Sequence, residues 1–221
     1  MNQIFNLFLV ILFSYIVGAI PVSLIIVKFT KGVDIRNYGS GNIGGTNAMR
    51  ILGWKLGVLV MLLDAMKGVI AVLFFATFFE ITIFSEISEI GVKIIAGIFA
   101  IVGHVFSVFA KFKGGKGVAT SAGILLSLVP IETLIVIGIF LLVFKISKYV
   151  SLGSIVAAIL FPFVMIIRKF FFDRNSIEGY DLLIYIVFSI SFFIVFTHRK
   201  NILRLIHGTE NTVSKIDIDE K

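Results

Sequence analysis

Cysteine is absent from this chain, and charged residues are scarce. The lack of cysteine excludes disulfides, thiolate catalysis and cysteine-ligated zinc. Only 15% of the 221 residues are charged and 58% are hydrophobic, whereas roughly a quarter of the residues in soluble domains are charged. The composition predicts an all-α integral membrane protein, with residues 1–221 as a single membrane-embedded domain.

Several catalytic signatures are missing as well. The chain has no Gly-x-Ser-x-Gly nucleophile elbow. None of its three histidines is followed, after four intervening residues, by an acidic residue, which is the arrangement of thioester-using acyltransferases. Residues 114–117 look like a P-loop but lack its spacing, and Gly117 stands where Ser or Thr is required. A covalent acyl-enzyme and nucleotide hydrolysis are therefore disfavoured, and no metal or other cofactor is expected.

The net charge of +7 does not indicate a nucleic acid partner, because the basic residues lie between apolar runs. In that position Lys and Arg orient a membrane protein. Six apolar runs can serve as spans of a bilayer. They lie at about residues 4–27, 56–79, 92–110, 119–146, 152–167 and 182–197. Lys28 and Lys31 follow the first run, so the N-terminus is predicted to lie outside.

The run 119–146 has two interpretations, as one long helix or as two segments separated by a turn at 130–132. The positive-inside rule favours two segments, because only that arrangement places most Lys and Arg on the cytoplasmic side. It predicts about seven transmembrane helical segments, a cytoplasmic C-terminus and an outside loop at 80–90. Each half of the run is short for a crossing, so whether it crosses twice or is re-entrant stays open.

Four polar stretches then share the cytoplasmic side. They are residues 38–47, 112–117, 148–154 and 198–201. In the first, glycines let successive backbone N–H groups point into one anion-binding concavity. Thr46 or Asn47 is expected to cap a following helix, with Arg50 in its first turn, as at phosphate-binding helix N-termini. The alternative is a flexible turn before a capped helix.

The second stretch encloses Lys116 between glycines, which suits a phosphate. Orientation charge alone explains Lys111 and Lys113 but not the glycines. Asp64 and Lys67 lie three apart in one span, so they share a helix face. The two residues are equally compatible with a structural ion pair and with a functional site inside the membrane. His104 is expected to make a structural hydrogen bond.

Three separated blocks carry a more specific pattern. They are residues 40–47 with Arg50, then 103–106 running into 112–120, then 198–202 with Arg204 and Glu210. This pattern resembles the bacterial membrane glycerol-3-phosphate acyltransferases that use acyl-phosphate as donor, and the match runs from Val17 to Glu210. Ser107 stands where the family usually has proline, which is expected to loosen the helix end without removing a reactive group.

The resemblance implies transfer of a fatty acyl group from acyl-phosphate to the 1-hydroxyl of glycerol 3-phosphate. The products are lysophosphatidic acid and phosphate, in the first acylation step of phospholipid biosynthesis. Direct transfer without a covalent acyl-enzyme is expected. The resemblance further implies a multi-pass protein of the bacterial cell (inner) membrane with a cytoplasmic active site, in contact with membrane lipid. It also implies a functional link to the enzyme that makes acyl-phosphate.

The same resemblance assigns the site residues. Catalytic roles fall on Ser40, His198 and Asn201. Phosphate-binding roles fall on Gly41, Asn42, Thr46, Asn47, Arg50, Gly114, Gly115, Lys116, Gly117, Ser151 and Ser154. Two questions stay open: which of the two later serines contacts substrate, and whether His198 or a substrate phosphate accepts the proton.

Two other classes of function compete with an enzyme. An anion transporter or lipid-phosphate carrier would use the same loops with the intramembrane Asp64–Lys67 pair, but the polar blocks share one side and no inverted repeat is visible. A scaffold for anionic lipid heads needs basic residues but not the glycines and amides.

Overall fold

The computed structural model describes residues 3–78, 88–171 and 179–213, and this part of the chain is helical without strands. Its α-helices are α1 (Gln3–Ala19), α2 (Val22–Lys31), α3 (Gly45–Leu52), α4 (Trp54–Val69), α5 (Ala76–Phe78), α6 (Glu89–Val105), α7 (Val118–Leu128), α8 (Pro130–Ser147), α9 (Val150–Phe171), α10 (Tyr180–Thr197) and α11 (Arg199–Ile206). Six segments are long and apolar enough to cross a membrane, and α7 is a shorter apolar helix. The predicted all-α membrane fold is confirmed.

The described residues divide into two compact units. The first unit ends at Ser127 and the second comprises Leu128–Val213. The run 119–146 divides as expected, with α7 ending at Leu128 and α8 beginning at Pro130. Val129 between them has non-helical angles (φ −139°, ψ 69°), and proline is well suited to the first position of a helix. Most of the predicted outside loop and the last eight residues lie outside the described residues.

The first predicted span is interrupted. Residues 4–27 are not one helix, because α1 ends at Ala19 and α2 begins at Val22. Pro21 has no N–H to donate and disfavours helical angles at Ile20 before it. The carbonyls of Ala19 and Ile20 accept hydrogen bonds from the Ser107 hydroxyl and the Lys67 ammonium. Ser107 therefore ties the chain just after α6 to this break.

Helices α4 and α7 of the first unit pack closely. A Cβ on Gly68 would collide with the carbonyl of Thr120, so glycine lets the two backbones touch, as is common between membrane helices. Beyond Val69, α4 continues as a π-helical segment, Ile70–Phe75, and ends in α5. The close packing places the start of α7, just after the second glycine-rich stretch, beside residues 64–68.

In the second unit, α8, α9 and α10 surround a buried carboxylate. Glu132 accepts hydrogen bonds from Arg168 Nε at 3.0 Å and from the Tyr180 hydroxyl at 2.9 Å. Each of the three residues comes from a different helix. A buried charge needs such partners, so this group ties one end of the three helices together.

Candidate active site

The first loop, residues 32–44, is held from inside by the side chain of Asn47. Its amide nitrogen lies within 3.0–3.2 Å of the carbonyls of Ile35, Tyr38 and Asn42. Its oxygen accepts a hydrogen bond from the Ser40 N–H at 3.0 Å. Asn47 is almost fully buried, so the structure shows it shaping the loop that carries Ser40.

The expected capping of α3 is wrong. The helix begins at Gly45 with Gly44 as its N-cap, so Thr46 and Asn47 lie inside it. Arg50 lies in the last turn and is buried, not in the first turn as expected. Gly44 adopts the extended geometry of an N-cap residue (φ −163°, ψ 166°) and, as a glycine, supplies no side-chain cap.

The predicted concavity of glycine N–H groups is also wrong in part. In the first loop, Gly41 donates to the Tyr38 carbonyl and Gly44 donates to the Asn42 carbonyl. In the second loop, residues 111–117, Gly114 donates to Val105 and Gly115 donates to His104. These last two bonds satisfy carbonyls that the C-terminal end of α6 leaves unpaired. Four of the candidate N–H groups therefore hold the loops together.

Gly115 is the point where the two loops meet. A Cβ at this position would collide with His104 Nε2 and lie 2.7 Å from the Ile43 carbonyl. Only glycine fits between the first loop and the histidine ring. The half-buried Lys116 follows directly, and Gly117 (φ 83°) turns the chain into α7. The structure thus brings Ile43 of the first loop against Gly115, the residue before Lys116, within the first unit.

The other four predicted residues lie in the second unit. Ser151 and Ser154 stand at the start of α9, His198 stands between α10 and α11, and Asn201 is in α11. His198 is buried, and its Nδ1 lies 2.8 Å from the Ile194 carbonyl. A neutral ring that donates from Nδ1 has its lone pair on Nε2. This is the form that a general base requires.

Asn201 is oriented by a residue whose role the sequence does not reveal. Its Nδ2 donates to Glu210 Oε1 at 2.8 Å, and Arg204 Nε donates to Glu210 Oε2 at 2.9 Å. Glu210 is buried. The only signal in the sequence is that all three residues belong to the third block of the family pattern.

The two serines differ in whether their hydroxyls make a hydrogen bond. Ser154 Oγ donates to the Val150 carbonyl one helical turn earlier, at 2.9 Å. Ser151 Oγ is buried and has no hydrogen-bond partner within the described ranges. Buried polar atoms without partners are rare in folded proteins. Of the two serines, Ser151 is therefore the one whose hydroxyl is left unsatisfied within the described residues.

The fold defines an α-helical, multi-span membrane protein, and the comparisons identify which one. The sequence model of the glycerol-3-phosphate acyltransferase family matches residues 8–208. Glycerol-3-phosphate acyltransferases of Chlorobium phaeovibrioides and Chlorobaculum tepidum are each 49% identical to the chain. The first alignment covers 91% of this chain and 94% of the relative, and the second covers 93% and 95%. The chain belongs to the glycerol-3-phosphate acyltransferase family.

Solved structures agree with this assignment. An integral membrane glycerol 3-phosphate acyltransferase, PlsY, in its glycerol 3-phosphate form is 35% identical and superposes with a TM-score of 0.77. Its lysophosphatidic acid form is 34% identical with a TM-score of 0.74. Both alignments cover 93% of this chain and 94% of the solved chain.

Proposed function

We propose that this protein transfers a fatty acyl group from acyl-phosphate to the 1-hydroxyl of glycerol 3-phosphate, giving lysophosphatidic acid and phosphate. The observation that carries the proposal is the contact between the two glycine-rich loops at Gly115. It places the loop that leads into the helix of Arg50 against the residue before Lys116, and both substrates carry phosphate. The solved relatives, described in glycerol 3-phosphate and lysophosphatidic acid forms, support the acceptor and the product.

The proposed step is direct attack. The glycerol oxygen bonds to the acyl carbonyl carbon, the bond from that carbon to the phosphate oxygen breaks, and phosphate leaves. The hydroxyl proton passes to Nε2 of His198, whose Nδ1 is directed at the Ile194 carbonyl. Arg50 and Lys116 neutralise phosphate charge, and Ser40, Ser151 and Asn201 supply polar contacts. Acyl-phosphate is already activated, so positioning and charge neutralisation account for most of the catalysis.

The test of this function is also a test of the donor. Loops directed at phosphate have no feature that selects an adenine nucleotide, so purified protein in lipid should form lysophosphatidic acid from palmitoyl-phosphate and glycerol 3-phosphate. Palmitoyl-coenzyme A and palmitoyl-acyl carrier protein should give little product in the same preparation. Comparable turnover with the coenzyme A ester would refute the donor assignment, and no turnover with any donor would refute the acyl transfer.

The two serines provide a matched pair of variants. Ser151→Ala should lower kcat/KM about three- to tenfold, the loss expected for one neutral hydrogen bond of about 0.5–1.5 kcal/mol. Ser154→Ala should stay near wild type, because its hydroxyl already donates within its own helix. Steady-state kinetics with acyl-phosphate measure both. If Ser154→Ala loses the activity and Ser151→Ala does not, the assignment is reversed.

We further propose that the loops face the cytoplasm of a bacterial cell (inner) membrane, as the exposed Lys28, Lys31, Lys111 and Lys113 suggest. Because the chain has no cysteine, single cysteines can report this. A membrane-impermeant thiol reagent on intact cells should label Asp181→Cys, an exposed position, and should spare Lys113→Cys until the membrane is permeabilised. Labelling at 113 but not at 181 would contradict this topology.

A further inference from the structure

The first unit buries a cluster of titratable side chains, Asp64, Lys67 and His104, that the proposed chemistry does not use. Lys67 Nζ lies 2.6 Å from Asp64 Oδ1 and 2.5 Å from the Ile20 carbonyl. Both charged side chains are about 5% exposed or less. The pair stands in an apolar span, where charges are costly unless they are paired and hydrogen-bonded. Stability alone is a weak reason to keep such a pair, since apolar residues often replace a buried ion pair without loss.

This cluster touches the second loop on the side that precedes Lys116. His104 Nδ1 lies 3.7 Å from Asp64 Oδ1. The other side of the same ring faces Gly115, where no Cβ would fit, and the His104 carbonyl accepts the Gly115 N–H at 3.1 Å. A hydrogen bond from Lys67 to Asp64, a 3.7 Å approach of Asp64 to the His104 ring and the packing of that ring on Gly115 thus connect Lys67 to the residue before Lys116.

The cluster also supports the chain on the side that follows Lys116. Thr120 Oγ1 donates to the backbone carbonyl of Asp64 at 3.1 Å. Gly68, one residue beyond Lys67, lies against the Thr120 carbonyl. One stretch of α4, residues 64–68, thus contacts the segment after Lys116 directly and the residue before Lys116 through His104.

A small cavity lies between the cluster and the loops. Its walls include Ser23, Asp64, Lys67, His104, Gly115 and, from the first loop, Ile43. Ser23 is buried, and its hydroxyl has no hydrogen-bond partner in the described part of the chain. The cluster therefore borders the same small cavity as both loops.

On the basis of the proposed function, we infer that Asp64 is a positioning residue for Lys116. Its carboxylate holds Lys67 and His104 in place, and these hold residues 114–120 in the geometry that presents the Lys116 ammonium to phosphate. Asp64 touches no substrate in this scheme. Its whole effect on the reaction passes through Lys116, and a double-mutant cycle isolates such a dependence.

The experiment measures kcat and KM for Asp64→Asn, Lys116→Ala and the double variant. Asparagine keeps the shape and an acceptor for Lys67. Asp64→Asn should lower kcat about 10- to 100-fold, the loss that a displacement of about 1 Å produces, and change KM for glycerol 3-phosphate less than about threefold. In the Lys116→Ala background the same substitution should have less than about a threefold effect. Glu89→Gln, which removes an exposed carboxylate paired with Lys93, is the control and should be near wild type in both backgrounds.

The outcomes separate this inference from the proposed function. If Lys116→Ala keeps full activity, the phosphate role of Lys116 fails first. If Lys116→Ala is slow and Asp64→Asn is not, or if the two losses multiply in the double variant, the positioning role alone is overturned. Asp64→Asn combined with Lys67→Met removes both charges and should fold yet stay slow. If neither variant inserts and folds, the cluster is a folding requirement and the inference is also wrong.

Discussion

His198→Ala should lower kcat about 100- to 10,000-fold, the range that a positioned general base contributes. His198 is buried, and its Nδ1 lies 2.8 Å from the Ile194 carbonyl, which leaves the basic lone pair on Nε2. The measurement is the rate of lysophosphatidic acid formation at saturating acyl-phosphate, normalised to membrane-inserted protein.

The chain offers a closely matched control in His207. Its Nδ1 lies 2.7 Å from the carbonyl of Leu203, also four residues earlier, but the side chain is exposed. His207→Ala should therefore retain nearly all activity. If the two alanine variants are equally active, proton transfer does not pass through His198, and a substrate phosphate becomes the acceptor.

Lys116→Ala should lower the acyl transfer rate by one to two orders of magnitude. A charged hydrogen bond contributes about 1.5–3 kcal/mol, and each 1.4 kcal/mol corresponds to about tenfold in rate. Lys116 is half-buried beside the contact between the loops, whereas Lys113 is exposed on the same loop. Lys113→Ala should stay close to wild type, because an exposed lysine here orients the chain and its neighbours can replace it.

Lys116→Arg tests whether charge alone is sufficient. A planar guanidinium does not replace the compact point charge of an ammonium. The arginine variant should therefore be poor as well. Equal and nearly full activity of Lys116→Ala and Lys113→Ala would show that Lys116 only orients the chain.

Hydropathy was sufficient for much of the fold. The spans follow from long apolar runs, and the division of 119–146 follows from loop charge together with Pro130, which the structure places at the first position of α8. The Asp64–Lys67 contact follows from helical spacing alone. These features depend on neighbours in the sequence or on the membrane, so they can be read from one chain.

The details of the site depend on distant partners and could not be read in this way. Glycine in a loop indicates that N–H groups can turn freely, but not which carbonyl they reach. The N–H groups of Gly114 and Gly115 donate to carbonyls at the end of α6. The side chain of Asn47 donates to a carbonyl of the loop that precedes it. The sequence predicts only a structural hydrogen bond for His104, whereas the structure places its ring against Gly115, the residue before Lys116.

The break between α1 and α2 has a consequence for how the protein is made. The Ala19 carbonyl accepts a hydrogen bond from Ser107, which lies 88 residues later in the chain. The Ile20 carbonyl accepts one from Lys67, 47 residues later, and also one from the Val22 N–H within the break. Unpaired carbonyls are costly in the hydrocarbon region. During synthesis, we therefore expect the Ala19 carbonyl to stay near water or lipid headgroups until α6 has entered the membrane. The final angle of the first span is set only when the third span has been inserted.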